Sequence, residues 1–248
     1  YRHWSLLAIR GNDGRATFLY SKEGVTQGDP ISMVCYGVGM LPLVRTLKLA
    51  VPQLVQPCYA DDLGASGTFD NIRKYATLLQ EIGPNYGYFI QFSKSILVVP
   101  RHLVEAATAA LGDLGFVITT GSRYLGGFIG EDDVRQDWLQ GKLEDWEDSV
   151  KALALVAKKY PQSAYTGLQR SLQMKWQYVQ RVTRECGDDC MAIEKAISTI
   201  FLPALFDADI DEDDLVLQLA CLPVKFAGLA LPAPTTSAKL NYDASIQH

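Results

Sequence analysis

The sequence predicts an α+β fold, and three observations carry that expectation. Residues 1–130 alternate short apolar, strand-like runs with stretches of helical period, turn signals built on Gly, Asp and Pro separate those runs, and residues 131–248 are helical in character almost throughout. With 248 residues, 48% hydrophobic and 21% charged, the chain is long and apolar enough to bury a core as one large domain or two modest ones. The change in character near residue 130 is taken as the domain boundary.

The elements follow in order. Gly11-Asn12-Asp13-Gly14 is a turn signal, and Phe18–Tyr20 after it reads as the second arm of a hairpin. Asp29 is a good N-cap and Pro30 occupies the favoured first helical position. Ile31, Val34, Cys35, Val38 and Leu41 then recur at steps of three and four, which predicts a buried helix bent or broken near Pro42. Cys58-Tyr59 and Leu63-Gly64-Ala65 predict two short strands around a tight turn with Asp61 and Asp62 at its tip. A helix from about Asp70 presents Ile72, Tyr75, Leu79 and Ile82 on one face and stops at Gly83-Pro84. Strands are expected at Tyr88–Phe92 and Ile96–Val99, a helix over 102–113, and strands at Phe116–Thr119 and Tyr124–Ile129.

Beyond Gly130, helices are expected near 132–159, 162–184, 189–202 and 212–221. The Pro-punctuated tail from Leu222 to Pro234 is expected to add a strand. No uninterrupted run of about 18 apolar residues and no signal-peptide pattern occurs, so the expectation is a cytoplasmic or nuclear protein without membrane association. Five cysteines, at 35, 58, 186, 190 and 221, argue for reduced thiols and against a disulfide frame; Cys186 and Cys190 supply at most half of a zinc site.

The net charge of −5 speaks at first against nucleic acid, but its distribution is uneven. Residues 1–130 carry 11 basic and 9 acidic side chains, and residues 131–248 carry 12 and 19. Between Ser149 and Arg184 seven basic residues occur without one acid, flanked by acidic clusters at 131–148 and 207–214. A helical projection of 162–184 places Arg170, Gln173, Gln177, Arg181 and Arg184 on one face and Tyr165, Leu168, Leu172, Trp176 and Val179 on the other. A cationic, amide-rich face suits duplex phosphates, although any exposed amphipathic helix has a similar pattern.

Asp61 and Asp62 are the most informative pair. Carboxylate oxygens are hard ligands suited to Mg²⁺, which takes one or two carboxylates and completes its shell with water and substrate phosphates. Paired ions of this kind stabilise the attacking and leaving oxygens of a phosphoryl transfer. An Asp-Asp turn is also common as a solvated loop.

The surroundings distinguish these readings. Gly24-Val25-Thr26-Gln27-Gly28-Asp29-Pro30-Ile31-Ser32, then a helix, then Tyr59-Ala60-Asp61-Asp62, resembles motifs B and C of reverse transcriptases, most closely the non-LTR retrotransposon and group II intron branch. Gly87 through Ser93-Lys94-Ser95 resembles motif D, and Tyr124-Leu125-Gly126-Gly127 resembles motif E, the primer grip. The resemblance implies an antiparallel polymerase palm sheet with packed helices over 1–130 and a helical thumb-like region over 131–248. It implies an RNA-directed DNA polymerase, acting with two Mg²⁺ ions for which Mn²⁺ can substitute, on an RNA template, a DNA or RNA primer and dNTPs. Asp61 and Asp62 become the catalytic metal ligands, and Lys94 lies near the incoming triphosphate. Gln27, Gly28 and Tyr59 line the nucleotide and template site, while Tyr124, Leu125 and Gly126 hold the primer end. Arg170, Arg181 and Arg184 fall where the thumb meets the duplex.

One departure matters. The family's motif A aspartate lies several tens of residues upstream of motif B, and the only nearby candidate, Asp13, sits in a hairpin turn without the hydrophobic strand that motif requires. The expectation is a fragment lacking motif A and the fingers, inactive as it stands. The alternatives are an inactive retroelement remnant that binds nucleic acid, an RNA-dependent RNA polymerase, whose usual Gly-Asp-Asp tip is absent, and an unrelated Asp-rich metal-binding hairpin.

Overall fold

Turn chemistry sets the first element. In the computed structural model, which describes residues 4–22, 28–211 and 215–247, β1 (Ser5–Arg10) and β2 (Ala16–Ser21) pair antiparallel with Ser5 opposite Ser21. Asp13 accepts the Arg15 N–H through Oδ1 at 3.0 Å, and Gly14 takes φ +78° to close the turn. The chain divides into two compact units, Tyr1–Ser95 with Glu105–Val117, and Ile96–Val104 with Ile118–His248. The expected α+β class holds, with helices predominating. The strands form four separate two-stranded ladders, and no palm-like sheet occurs among the described residues.

In the first unit, α1 (Ser32–Ala50) starts after Asp29, whose Oδ1 accepts the Ile31 N–H at 2.9 Å and whose carbonyl accepts the Ser32 N–H at 3.1 Å. The helix continues through Pro42 and is not broken there. Its buried face also differs from expectation. Ile31, Val34, Val38 and Leu41 are exposed, and Met40, Leu43 and Leu47 are buried. Both faces of α1 are apolar, so periodicity alone could not choose between them; packing against α2 does. By length and composition α1 is apolar enough to cross a membrane, even though no uninterrupted apolar run exists.

The second helix, α2 (Phe69–Ile82), buries Ile72, Tyr75, Ala76 and Leu79. Arg73 ties it to α3 (Val104–Leu111) by donating to the Ala110 carbonyl at 3.1 Å and to Asp113 at 2.9 Å. At Gly83 a Cβ would meet the Tyr88 carbonyl oxygen at 2.5 Å, and the Tyr88 N–H returns to the Gly83 carbonyl at 3.0 Å. That reversal uses the backbone locally. Tyr88–Phe92 is therefore not a strand: it leads into a 3-10 turn at Phe92–Lys94, without a ladder partner among the described residues. Between α1 and α2 in the chain, β3 (Cys58–Tyr59) and β4 (Asp62–Leu63) form the expected hairpin.

In the second unit, β5 (Ile96–Val98) pairs with β6 (Val117–Thr119), and the Val99 N–H extends the pairing to the Thr119 carbonyl at 2.9 Å. The single strand expected at Tyr124–Ile129 is instead a hairpin of β7 (Gly121–Tyr124) and β8 (Gly127–Gly130). Leu125 and Gly126, at φ +46° and +81°, form its two-residue loop, and left-handed backbone at both positions matches the twist of a tight hairpin.

The helical core is built on α4 (Asp132–Ala157), α5 (Pro161–Gly167) and α6 (Gln173–Val182), the last two joined through a π turn at Leu168–Leu172. The Trp146 and Trp176 ring centroids lie 6.4 Å apart, surrounded by Leu139, Leu143, Val150 and Leu168. The helix ends at Val182, because Thr183 is extended at φ −125° and ψ 117°. Arg184 thus lies beyond the helix, and Gln173 is buried, correcting two members of the projected polar face. Next come α7 (Met191–Ala196), α8 (Leu202–Phe206) and α9 (Leu215–Cys221).

The expected strand between Leu222 and Pro234 is absent; a 3-10 turn at Val224–Phe226 precedes an unforeseen helix, α10 (Pro234–Ile246). Gln180 explains its docking. Its amide donates to the Pro234 carbonyl at 2.9 Å and accepts from Asn241 at 2.8 Å, so this fully buried polar group is satisfied. Cys186 and Cys190 are buried beside it, and no group of three metal-ligating side chains occurs among the described residues.

Candidate active site

A two-residue connection is the shortest that reverses a β-ladder, and it forces unusual backbone on one or both residues. Tyr59 pairs with Asp62, leaving Ala60 and Asp61 as the connection, with Ala60 at φ +51°. Asp61 therefore stands at the tip and Asp62 opens the returning strand. Both carboxylates are exposed. Tyr59 is 64% exposed beside them.

Three tyrosines from three other segments surround the hairpin. Tyr88 donates its hydroxyl to the Asp61 carbonyl at 3.1 Å, fixing the tip from the segment after α2. Burial pushes its phenol above the usual range, and Tyr36, Asp61 and Asp62 push it further. Tyr36, on α1, is raised by burial and then by the Asp61 charge. Tyr75, on α2, is pushed up to about 12, chiefly by burial and secondarily by Tyr88 and Cys58. Tyr36 and Tyr88 thus lie within electrostatic reach of Asp61, and Tyr75 lies close to Tyr88 and Cys58. Sequence reasoning missed Tyr36 and Tyr88 in this role and treated Tyr75 only as core. Helical spacing identifies a buried tyrosine but not the distant hairpin it faces.

The donor set fits one hard divalent cation, which takes one or two carboxylates and otherwise water or phosphate oxygen. A second ion would need a further carboxylate, and no third acidic, histidine or cysteine ligand joins Asp61 and Asp62 among the described residues. Asp13 remains in the β1–β2 turn, engaged with Arg15.

The other expected site residues are distributed over both units. Gln27 lies outside the described residues, as do Gly24, Val25 and Thr26. Gly28 is exposed at φ +92°, with no atom within 4 Å of where a Cβ would stand, so backbone conformation is what favours glycine there. Lys94 is exposed at the end of its 3-10 turn, and its ammonium has no ion pair among the described residues.

Tyr124, Leu125 and Gly126 form the end of the β7–β8 hairpin. The Leu125 carbonyl accepts the Tyr178 hydroxyl, which pins the loop to α6, while the Tyr124 hydroxyl is buried without a hydrogen-bond partner among the described residues. Arg170 and Arg181 are exposed without ion pairs among the described residues. Arg184 instead pairs with Glu185 at 3.1 Å. No family model, curated protein or solved structure matches this chain.

Proposed function

We propose that this chain is the catalytic-carboxylate and thumb-like portion of a reverse transcriptase, an RNA-directed DNA polymerase. The observation that carries the reading is the Tyr59-Ala60-Asp61-Asp62 hairpin, with one carboxylate at the tip of a two-residue turn and the next directly behind it. The ordered resemblance of four motifs between Gly24 and Gly127 supports it. So does the electrostatic proximity of Asp61 to Tyr36, which lies on the helix following Gly28-Asp29-Pro30.

In this reading Asp61 and Asp62 would hold Mg²⁺ or Mn²⁺, and the charge such an ion would supply suits the negative charge that develops in phosphoryl transfer. Tyr88 keeps the Asp61 backbone in place, so the carboxylate is positioned before substrate arrives. Tyr59, Gln27 and Gly28 line the nucleotide and template side. Lys94 offsets charge on the departing pyrophosphate, and Leu125 and Gly126 guide the primer end. In this reading a motif A strand would pair beside β3–β4, and its aspartate would be the third carboxylate.

The test is primer extension on poly(A) by this chain joined to an upstream segment bearing that aspartate. Asp61→Asn is expected to reduce extension by several orders of magnitude, since removing even one transition-state hydrogen bond costs about 100- to 1000-fold. The unextended chain is expected to show no incorporation in Mg²⁺ or Mn²⁺. Equal extension by Asp61→Asn and the parent would overturn the assignment. Hybrid binding without extension by the joined protein would identify an inactive remnant.

A further inference from the structure

We propose that the cavity between α7, α9 and the segment leading into α10 binds a small amine with an apolar body. The cavity measures about 360 Å³ and lies wholly within the second unit. Ile197, Leu202, Leu217, Ala220 and Leu231 supply its apolar wall, and all but the partly buried Leu217 belong to the buried helical core. That wall is in place before any ligand arrives, because the Leu231 N–H donates to the Ala220 carbonyl at 3.0 Å and ties the incoming segment to α9. A concave, largely apolar cavity with a few placed polar groups is the usual form of a small-molecule site.

Glu194 decides the chemistry of the ligand. It lines the cavity from α7, half-buried, and its Oε2 accepts both the Thr235 N–H at 3.0 Å and the Thr235 hydroxyl at 2.5 Å. Those two bonds fix the carboxylate and leave Oε1 without a hydrogen bond among the described residues, where Glu194 also forms no ion pair. A half-buried carboxylate oxygen beside an apolar wall is best matched by a cationic donor, because a charge-assisted N–H···O bond is about twice as strong as a neutral one. The Ser198 and Thr199 hydroxyls line the same cavity and donate to the Lys195 carbonyl at 3.1 and 2.8 Å, so their oxygens are left to accept. An ammonium offers three donors and no acceptor, which suits this set of acceptors. Lys195 lines the cavity as well, but its side chain is exposed, and a solvated ammonium attracts an anion only weakly.

Calorimetric titration of the full 248-residue chain with phenethylamine, phenethyl alcohol and hydrocinnamate tests it, since these share an aromatic body and differ in the charge of the head group. Phenethylamine is expected to bind about tenfold more tightly than the alcohol, and hydrocinnamate more weakly than either. Cys221 reports where the ligand sits: its exposed thiol lines the cavity, whereas the exposed thiols of Cys35 and Cys58 lie in the first unit. Alkylation by iodoacetamide, followed peptide by peptide in a mass spectrometer, should slow at Cys221 when phenethylamine is present and stay unchanged at the other two. Glu194→Gln keeps an oxygen for the Thr235 bonds, and should bring the amine down to the affinity of the alcohol while the alcohol binds as before. The ligand comparison and the thiol protection are read on the unmodified chain, so the proposal remains testable if that variant does not fold. It is overturned if the amine does not bind, if the alcohol or hydrocinnamate binds as tightly, if Cys221 is not protected, or if a folded Glu194→Gln chain keeps its preference for the amine. The cavity shares no side chain with the carboxylate hairpin of the first unit, so this proposal and the polymerase reading can fail independently.

Discussion

The two units differ in how they use apolar surface. The second closes around a contiguous core running from Leu139 to Ala238, with Trp176, Phe201, Ile193 and Leu168 almost inaccessible. The first buries a smaller set, including Leu43, Leu47, Leu54 and Leu79, and exposes Trp4, Leu6, Ile9, Phe18 and Tyr20 on its leading hairpin and Val34 and Val38 on α1. Burial contributes about 1.5–3 kcal/mol for each large apolar side chain, so the second unit holds most of the chain's packing stabilisation. The proposed chemistry sits on the more lightly packed unit, where exposed carboxylates can reach substrate.

The contrast is tested most severely at Trp176. Trp176→Ala should remove about 3–5 kcal/mol from unfolding of the second unit. Amide exchange should accelerate across α4 and α6 while β3–β4 keeps its own rates. Comparable acceleration in both units would show that they unfold as one.

Alkali probes the first unit. Folded Tyr75 keeps its proton up to about 12, whereas an ordinary tyrosine releases it near 10. Between those values the folded state binds more protons than the unfolded one, so stability falls as pH rises above about 10 and levels off above about 12. The loss from this group is roughly 2–3 kcal/mol for a shift of that size. Denaturant titrations at stepped pH should show the decline, and Tyr75→Phe should remove that part of it.

At the β7–β8 loop, Gly126→Ala combines a left-handed backbone at φ +81° with a clash against Tyr178. A destabilisation of about 1–2 kcal/mol is expected, measured as a shift of the denaturation midpoint of the second unit. The smallest effect concerns the basic helix. Arg170→Ala with Arg181→Ala should flatten the salt dependence of hybrid binding by about 0.9 for each phosphate left without its cation. Adding Arg184→Ala should change the slope little, because Arg184 pairs with Glu185 and lies past the helix end. A drop on adding Arg184→Ala as large as for the first two would show that this pair opens on binding.

Local chemistry determined much of what was legible in the sequence. Gly11–Gly14 specified the first hairpin, Gly83-Pro84 the end of α2, and the Asp61-Asp62 tip its own turn, because each depends on backbone preferences within a few residues. The α10 start at Pro234 carried a similar local signal, Pro at the first helical position, which the expectation of a strand passed over. Tertiary structure decided what lies at longer range. An α1 helix apolar on both sides gives no periodic reason to bury Met40, Leu43 and Leu47 and not Val34 and Val38; only a packing partner breaks that symmetry. The extended Tyr88–Phe92 segment required a strand partner that sequence alone does not supply. Likewise, Tyr36 and Tyr88 come close to Asp61, and Tyr75 to Tyr88, through packing between segments far apart in the chain. Turns and helix ends are encoded by neighbouring residues, whereas the choice of buried face and the convergence of charges depend on which elements pack together.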